Sequence, residues 1–393
     1  MPGIAGEIER EFSQVITGYY SPPEGVGVFS TEIKGGSDME FPLSFVVVGS
    51  GFRSLFYARI AKQFPQFFTL KYLLCRTEEK AQKLNAEYGI PTTTSQELCM
   101  EAKPDFVVVA VNRDAVWSVA REWVKAGFPV LLETPVGHTE EELKEAWEMS
   151  LHGAKIQVAE QYHRYPILAA GIKAVKEGLI GDPYGVTLSM AHDYHGASLI
   201  RQMLNMEPMA MTLHGNQYRN PVTQTDSRYG PITDGSVTEQ ERTVVQIEFA
   251  NGKTALYDFA GIQYRTFIRA RHVNVQGQNG EWNDSLIRYV REDLLPEMEY
   301  LKPYLDPKYK ELETGVLREI CRRWNPVFAM EAEQDEYAIA TMMYDMKGYL
   351  EGTDPGYPLT EALEDAYTWI LFQRAAENPW QTVKSEPMPW HNR

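Results

Sequence analysis

The chain has 393 residues, with 38 Lys and Arg against 54 Asp and Glu, a net charge of −16. That acidity excludes nucleic acid and anionic membrane surfaces as main partners, since both would repel the chain. Hydrophobic residues make up 44% and charged residues 23%, as in a globular protein, and the length suffices for two cores.

Residues 1–40 precede the first strand as an N-terminal extension. Ile4, Ile8, Phe12, Val15 and Ile16 recur at helical spacing and predict an amphipathic helix, followed by a Pro-, Gly- and Ser-rich linker. This start lacks the basic-then-apolar form of a secretion signal, and no apolar run is long enough to span a membrane. Cys75, Cys99 and Cys321 show no paired spacing, so neither a disulfide framework nor a metal site is expected. The chain reads as soluble and cytoplasmic.

From Ser44 the pattern alternates. Apolar strands are expected at 44–48, 69–74, 104–111, 129–132 and 155–159, with helices at 55–64, 78–88, 114–126 and from Thr139, where HTEEEL places a capping threonine before glutamates. Apolar strands separated by helices imply a parallel sheet buried on both faces, a dinucleotide-type domain over residues 41–162. Ligands bind such sheets beyond the carboxyl ends of the strands, where Gly49, Asn112, Glu133 and Gln161 lie. After a helix at 166–177 the pattern changes. Strands at 184–192, 243–250, 254–260, 272–278 and 281–283, with turns at Asn251-Gly252 and Asn279-Gly280, predict an open antiparallel sheet in a second domain, 163–393. Helices at 333–349 and 359–377 close it.

The most informative stretch is SFVVVGSGFRS, residues 44–54. A buried strand turning through Gly49, Ser50 and Gly51 into a helix opened by Phe52 and Arg53 presents backbone N–H groups to a pyrophosphate. The third glycine of the usual fingerprint is replaced by Ser54. Together with AREWVKAGFPVLLETP and KAVKEGLIGDPYGV, this stretch resembles the Gfo/Idh/MocA oxidoreductases over roughly residues 42–290 and the closing helix. The resemblance implies a Rossmann domain joined to an open sheet, NAD or NADP as cofactor, and chemistry on sugar or inositol hydroxyls or the matching ketones. It also implies a homodimer or homotetramer through the open sheet face.

Three departures stand out. The family's E-K-P is ETP here, so Thr134 replaces the catalytic lysine; Ala197 and Arg201 occupy the places of a later aspartate and histidine; and the acid expected after the second strand is Cys75, followed by Arg76 and Thr77. With that acid missing, Arg76 and a neighbouring hydroxyl suit the 2′-phosphate of NADP and favour it over NAD. The resemblance sets Glu133, Thr134 and Pro135 beside the nicotinamide and the Gln161-Tyr162-His163 run next to it.

HDYHGASLIR, residues 192–201, is the densest polar cluster, and the resemblance places the substrate there. Proton transfer accompanying hydride transfer near neutral pH calls for histidine. His195 is the first choice, with His163, His192 and Tyr162 as alternates. Thr134, Asp193, Ser198 and Arg201 are candidate substrate contacts. A metal at His192, Asp193 and His195 is disfavoured because adjacent strand residues point to opposite faces. The expected function is NAD(P)-dependent hydride transfer to or from a secondary hydroxyl or ketone of a sugar, glycoside or polyol, with a small carbohydrate-like molecule as partner. Two alternatives stay open: redox-assisted glycoside cleavage with a recycled cofactor, and a sugar- and cofactor-binding sensor without catalysis.

Overall fold

The computed structural model describes residues 39–227, 230–301 and 334–391. The helix expected around Ile4–Ile16, and Cys321, lie outside them. Six strands form the first sheet: β1 (Leu43–Val48), β2 (Phe68–Leu74), β3 (Thr92–Thr93), β4 (Phe106–Val109), β5 (Val130–Leu132) and β6 (Ile156–Val158). They are all parallel in the order β3-β2-β1-β4-β5-β6. Val46, Val47, Val107 and Val108 are fully buried. Helices on both faces leave these residues no polar side, which is why the strands read as continuous apolar runs.

The crossover helices are α1 (Phe52–Gln63), α2 (Glu78–Tyr88), α3 (Gln96–Glu101), α4 (Val116–Lys125) and α5 (Glu140–Leu151). Thr139 caps α5 by accepting from the Glu142 N–H at 3.2 Å, as its sequence predicts. The expected helix at 114–126 is instead a short 3-10 turn at Arg113–Ala115 followed by α4. The small β3 and α3 are additions that short polar segments did not announce.

Helix α6 (Pro166–Lys176) leads to a nine-stranded sheet: β7 (Pro183–Ser189), then, after α7 (Asp193–Met203), β8 (Met211–Thr223), β9 (Val237–Phe249), β10 (Thr254–Ala260), β11 (His272–Gly277), β12 (Gly280–Asn283), β13 (Leu286–Val290), β14 (Pro296–Tyr300) and finally β15 (Val383–Lys384). The order is β14-β13-β12-β11-β7-β10-β9-β8-β15. The sheet is mixed rather than purely antiparallel, because β7 and β10 pair in parallel while the other pairs are antiparallel. Helix α7 and two long strands separate β7 from β10, enough chain for a parallel return.

Strand β7 stops at Ser189, short of the expected His192, which instead caps α7. Helices α8 (Gln334–Glu351) and α9 (Leu359–Glu377) complete the packing. Helix α9 lies against α7, β8 and α5, while α8 lies against α1. No helix among the described residues is long and apolar enough to cross a membrane.

Candidate active site

The carboxyl ends of β1, β4, β5 and β6 gather the first half of the site. Gly49 holds φ +118°, and a Cβ there would stand 2.2 Å from the Ala110 carbonyl oxygen, so glycine is obligatory where β1 crosses the end of β4. Gly51 is the N-cap of α1, whose first turn has neither a capping side chain nor an acid, and a Cβ on Gly51 would meet nothing within 4 Å. Open space above uncapped N–H groups suits a phosphate. Ser54, in place of the third glycine, is fully buried and donates its hydroxyl to the Ala110 carbonyl at 3.2 Å, tying α1 to β4.

Arg53, beside the turn, is committed to acids: it pairs with Asp335 of α8 at 2.6 Å and with Glu133 at 3.6 Å. Glu133 also accepts from the Tyr57 hydroxyl at 2.7 Å. Burial raises the Glu133 carboxyl above its ordinary range, against the pull of Arg53. Asp335 accepts in addition from the Gln161 amide at 3.1 Å and the Tyr165 hydroxyl at 2.9 Å. Gln161 is 1% exposed, yet its Oε1 is buried without a hydrogen-bond partner. An unpartnered buried acceptor is costly unless a ligand donor reaches it. This acceptor, with the open face of Gly51, fits a nicotinamide dinucleotide held by Gly49, Gly51 and Gln161. Arg76, just after β2, and Asn112, after β4, are exposed, and Thr77 spends its hydroxyl capping α2 by accepting from the Lys80 N–H at 3.3 Å.

The second half comes from α7 and the turn after β6. His195 is 3% exposed and its Nδ1 lies 2.6 Å from Oε2 of Glu160, itself 1% exposed. The other Glu160 oxygen accepts the Tyr162 N–H at 3.2 Å. Three rings enclose His195: Tyr162 at 4.4 Å, Tyr194 at 4.5 Å and His192 at 4.8 Å between centroids. The Tyr194 hydroxyl is hydrogen-bonded to Thr134, bringing the ETP turn to the same wall. Burial pushes the Glu160 carboxyl up to about 8 and the His195 imidazole down to about 3. The common cause is that the site disfavours net charge, and the two groups share what protons they keep.

His192 is disposed differently. The Tyr162 hydroxyl donates to the Tyr264 hydroxyl at 2.9 Å, and Tyr264 also accepts the His192 N–H at 2.9 Å. The single Tyr264 proton therefore goes to Nδ1 of His192, at 2.5 Å. That leaves the proton of neutral His192 on Nε2, a donor rather than a base, and burial holds the ring neutral by lowering it to about 3.

Several expected site residues lie elsewhere. His163 turns away from Tyr162 on a 3-10 turn, stacks on Tyr357 at 5.2 Å and is kept neutral by burial. Arg201 and Ser198 are withdrawn from the cleft into a seam with α9. The Arg201 guanidinium binds Asp365 at 2.5 Å, the Glu361 carboxylate, and the Tyr357 hydroxyl at 3.3 Å; Ser198 lies 2.9 Å from the same hydroxyl. With two carboxylates against one guanidinium, no charge remains for a substrate. Asp193 pairs with Arg113 at 2.9 Å and sits at φ +49°, a strained value for a helix start. Because His192 and Asp193 stand at a helix start, the opposite-faces argument against a metal no longer applies; no His, Cys, Asp and Glu group among the described residues is arranged to hold one.

Sequence reasoning missed Glu160, Tyr264 and Asp335, and it included Tyr194 in the polar cluster without giving it a role. Glu160 carried a signal, a charged residue directly after a strand otherwise wholly buried. Tyr264 and Asp335 carried none, since they arrive from 72 and 174 residues away from their partners.

Residues 43–159 match the model of the GFO_IDH_MocA oxidoreductase family with NAD-binding Rossmann fold. No curated protein matches the chain. Among solved structures, an NAD-binding oxidoreductase from Klebsiella pneumoniae is 15% identical, with 88% of this chain and 100% of that one covered and a TM-score of 0.65. The WlbA dehydrogenase from Bordetella pertussis, in complex with NADH and UDP-GlcNAcA, is 15% identical over 90% and 100% of the chains, TM-score 0.63. A levoglucosan dehydrogenase in complex with NADH and levoglucosan is 17% identical over 87% and 99%, TM-score 0.63. At these identities the likeness is one of fold across both sheets. Over residues 43–159, its Rossmann domain, the chain is similar to the Gfo/Idh/MocA family of oxidoreductases.

Proposed function

We propose that the protein is a cytoplasmic NAD(P)-dependent dehydrogenase or reductase acting on a secondary hydroxyl or ketone of a sugar, glycoside or polyol. The observation that carries this reading is the buried His195–Glu160 pair, ringed by Tyr162, His192 and Tyr194 and joined through Thr134 to the end of β5. It stands at the edge of the sheet where the Gly51 turn and the unpartnered Gln161 oxygen suit the cofactor. The levoglucosan and UDP-GlcNAcA complexes of structural neighbours support a carbohydrate-like substrate. Buried unpaired Cys75 and Cys99 support a reducing compartment.

When bound, the nicotinamide supplies or takes the hydride. The chain supplies orientation and the proton. His195 exchanges a proton with the substrate oxygen through Nε2, which has no hydrogen-bond partner among the described residues. His192, as an Nε2–H donor, and the Thr134 hydroxyl orient that oxygen, and the rings of Tyr162 and Tyr194 exclude water. The proton-transferring His195 falls in residues 163–393, while its partner Glu160 and the candidate cofactor contacts fall in residues 41–162. Exposed Tyr184 on the central strand β7 and Met298 on the edge strand β14 support a homodimer or homotetramer through the open face of the large sheet. Arg76, exposed after β2, is the residue through which NADP would be preferred.

Absorbance and mass spectra of the purified protein for a co-purifying dinucleotide, then single-turnover nicotinamide absorbance with a panel of polyols and their ketones, test the reading. Stoichiometric hydride transfer is expected. Bound cofactor that cycles without net change would replace it by redox-assisted cleavage, and binding without turnover by a sensor.

A further inference from the structure

Hydride transfer as described above leaves Glu160 with no task of its own, yet its burial demands one. A carboxylate 1% exposed costs several kcal/mol unless paired. Its one ion-pair partner among the described residues is His195, at 2.6 Å. We propose that Glu160 and His195 form a single proton store that delivers from Nε2 of His195 to a carbonyl oxygen, so that the site is loaded for reduction near neutral pH and for oxidation only in alkali. This inference rests on the hydride-transfer reading and adds to it a direction and a positioning residue, Glu160.

The proton count is definite. Loaded, the pair is neutral overall: either a carboxylic acid beside an imidazole protonated on Nε2, or a carboxylate beside an imidazolium. These two forms differ only in where one proton sits along the Nδ1–Oε2 contact. In reduction, the carbonyl carbon takes the hydride that a bound reduced nicotinamide dinucleotide supplies from its C–H bond, and the new C–H bond forms there. The C=O π pair passes to oxygen, which takes the Nε2 proton as that N–H bond breaks. The shared proton settles on Nδ1, leaving a carboxylate and a neutral imidazole with net charge −1. After the product leaves, one proton from solvent reloads the pair. Oxidation requires the unloaded form, whose Nε2 lone pair accepts the hydroxyl proton.

The unloaded form is the charged one, and the surroundings oppose it. Tyr162, on the turn after β6, and Tyr194 and His192, on α7, face the imidazole with rings. His192 cannot lend a proton through Nδ1, which is occupied by Tyr264. Among charged groups, Arg53 from α1 acts against the imidazolium and Asp335 from α8 for it. Arg201, further along α7, favours the Glu160 carboxylate, while Asp335 opposes it. Glu133 after β5 and Asp365 of α9 also feel Glu160 as a like charge. Burial is the largest influence on both members, raising Glu160 to about 8, so the store empties about there rather than in the ordinary histidine range.

The test is Glu160→Gln in the full-length protein, read in two ways. Selective 15N labelling of histidine should show the wild-type His195 ring changing with a midpoint near pH 8. In the variant, which keeps only a buried imidazole, that midpoint should fall by several pH units. Single-turnover ketone reduction should decline above about pH 8 in wild type. In the variant it should be slower at pH 7 by on the order of 10²-fold, with NADH affinity unchanged. Glu160→Asp, keeping a carboxylate, should retain the wild-type profile shape at reduced rate. A His195 midpoint near 6.5 in wild type overturns the proposal even if Glu160→Gln fails to fold, and so does a reduction profile that Glu160→Gln leaves unmoved. Absence of hydride transfer with every substrate, alongside the expected 15N titration, overturns the oxidoreductase reading and the delivery step but leaves the shared proton standing.

Discussion

Helix α7 carries a buried histidine, His195, and a buried arginine, Arg201, roughly 9 Å apart along its axis at 1.5 Å per residue. Both are almost fully buried and both touch carboxylates, but their partners are arranged in opposite ways. Arg201 faces the Asp365 and Glu361 carboxylates and the Tyr357 hydroxyl of the α9 region, which match its charge although its Nε keeps no hydrogen-bond partner. His195 faces one carboxylate, on one nitrogen, within a ring of aromatic side chains. The first arrangement neutralises a charge and welds two helices together. The second places a shared-proton contact on one ring nitrogen and leaves the other without a partner among the described residues. Burial alone does not mark a functional residue; how its neighbours dispose of its charge and protons matters as well.

The contrast predicts opposite phenotypes. The largest expected effect is on His195→Ala, which should slow the chemical step by roughly 10²–10⁴-fold, the usual share of general acid–base catalysis, with cofactor affinity nearly unchanged. Thr134→Lys should not restore it, because Thr134 is engaged with Tyr194 in a wall built around neutral hydroxyls. A wild-type single-turnover rate in His195→Ala would move the proton to another group. His192, tied through Nδ1 to Tyr264, is a poor substitute.

Arg201→Met should do the reverse. Removing the guanidinium strands Asp365 and Glu361 in the seam and should destabilise the fold by about 3–5 kcal/mol in urea titration. The rate per folded molecule should stay near wild type. A variant of normal stability but impaired turnover would return Arg201 to the substrate site.

The two glycines of the cofactor turn sharpen the comparison within the other half. Gly51→Val should weaken dinucleotide binding more than tenfold in calorimetry while leaving the melting temperature intact, because its Cβ points into open space. Gly49→Ala should instead lower stability by on the order of 1–3 kcal/mol or more, since it meets both a positive φ and the Ala110 carbonyl. Equal behaviour of the two variants would mean that the turn is only a strand–helix connection.

The smallest effect concerns Arg76. If it holds a 2′-phosphate, Arg76→Ala should weaken NADP by about ten- to a hundredfold more than NAD, the worth of one charge-assisted hydrogen bond. Equal losses would leave Arg76 a solvated residue and remove the preference for NADP.

Much of the frame was legible in the residues. The helices at 78–88 and 359–377 and the strand at 254–260 fall at their expected limits, because each is bounded by a strong cap, turn or proline. The 13-residue β8, with Pro221 and several exposed polar residues, was not anticipated: its pairing with β9 and β15 supplies the stability its own pattern does not. The strand expected to reach His192 ended at Ser189, because tertiary contacts with Tyr257 and Tyr264 hold the next residues as a helix start.

By itself the sequence determined the alternation that builds a parallel sheet, the glycine turn at its first strand and the density of polar chemistry between His192 and Arg201. These are short-range properties, written in periodicity and in residue type. Which members of that cluster face a ligand was decided only in three dimensions. Glu160, Tyr264 and Tyr357 reach His195, His192 and Arg201 from distant segments, and each histidine or arginine takes its role from the hydrogen bonds those partners complete or leave open. Side-chain identity states what a group is able to do; protonation and availability depend on burial and on neighbours that no local pattern encodes.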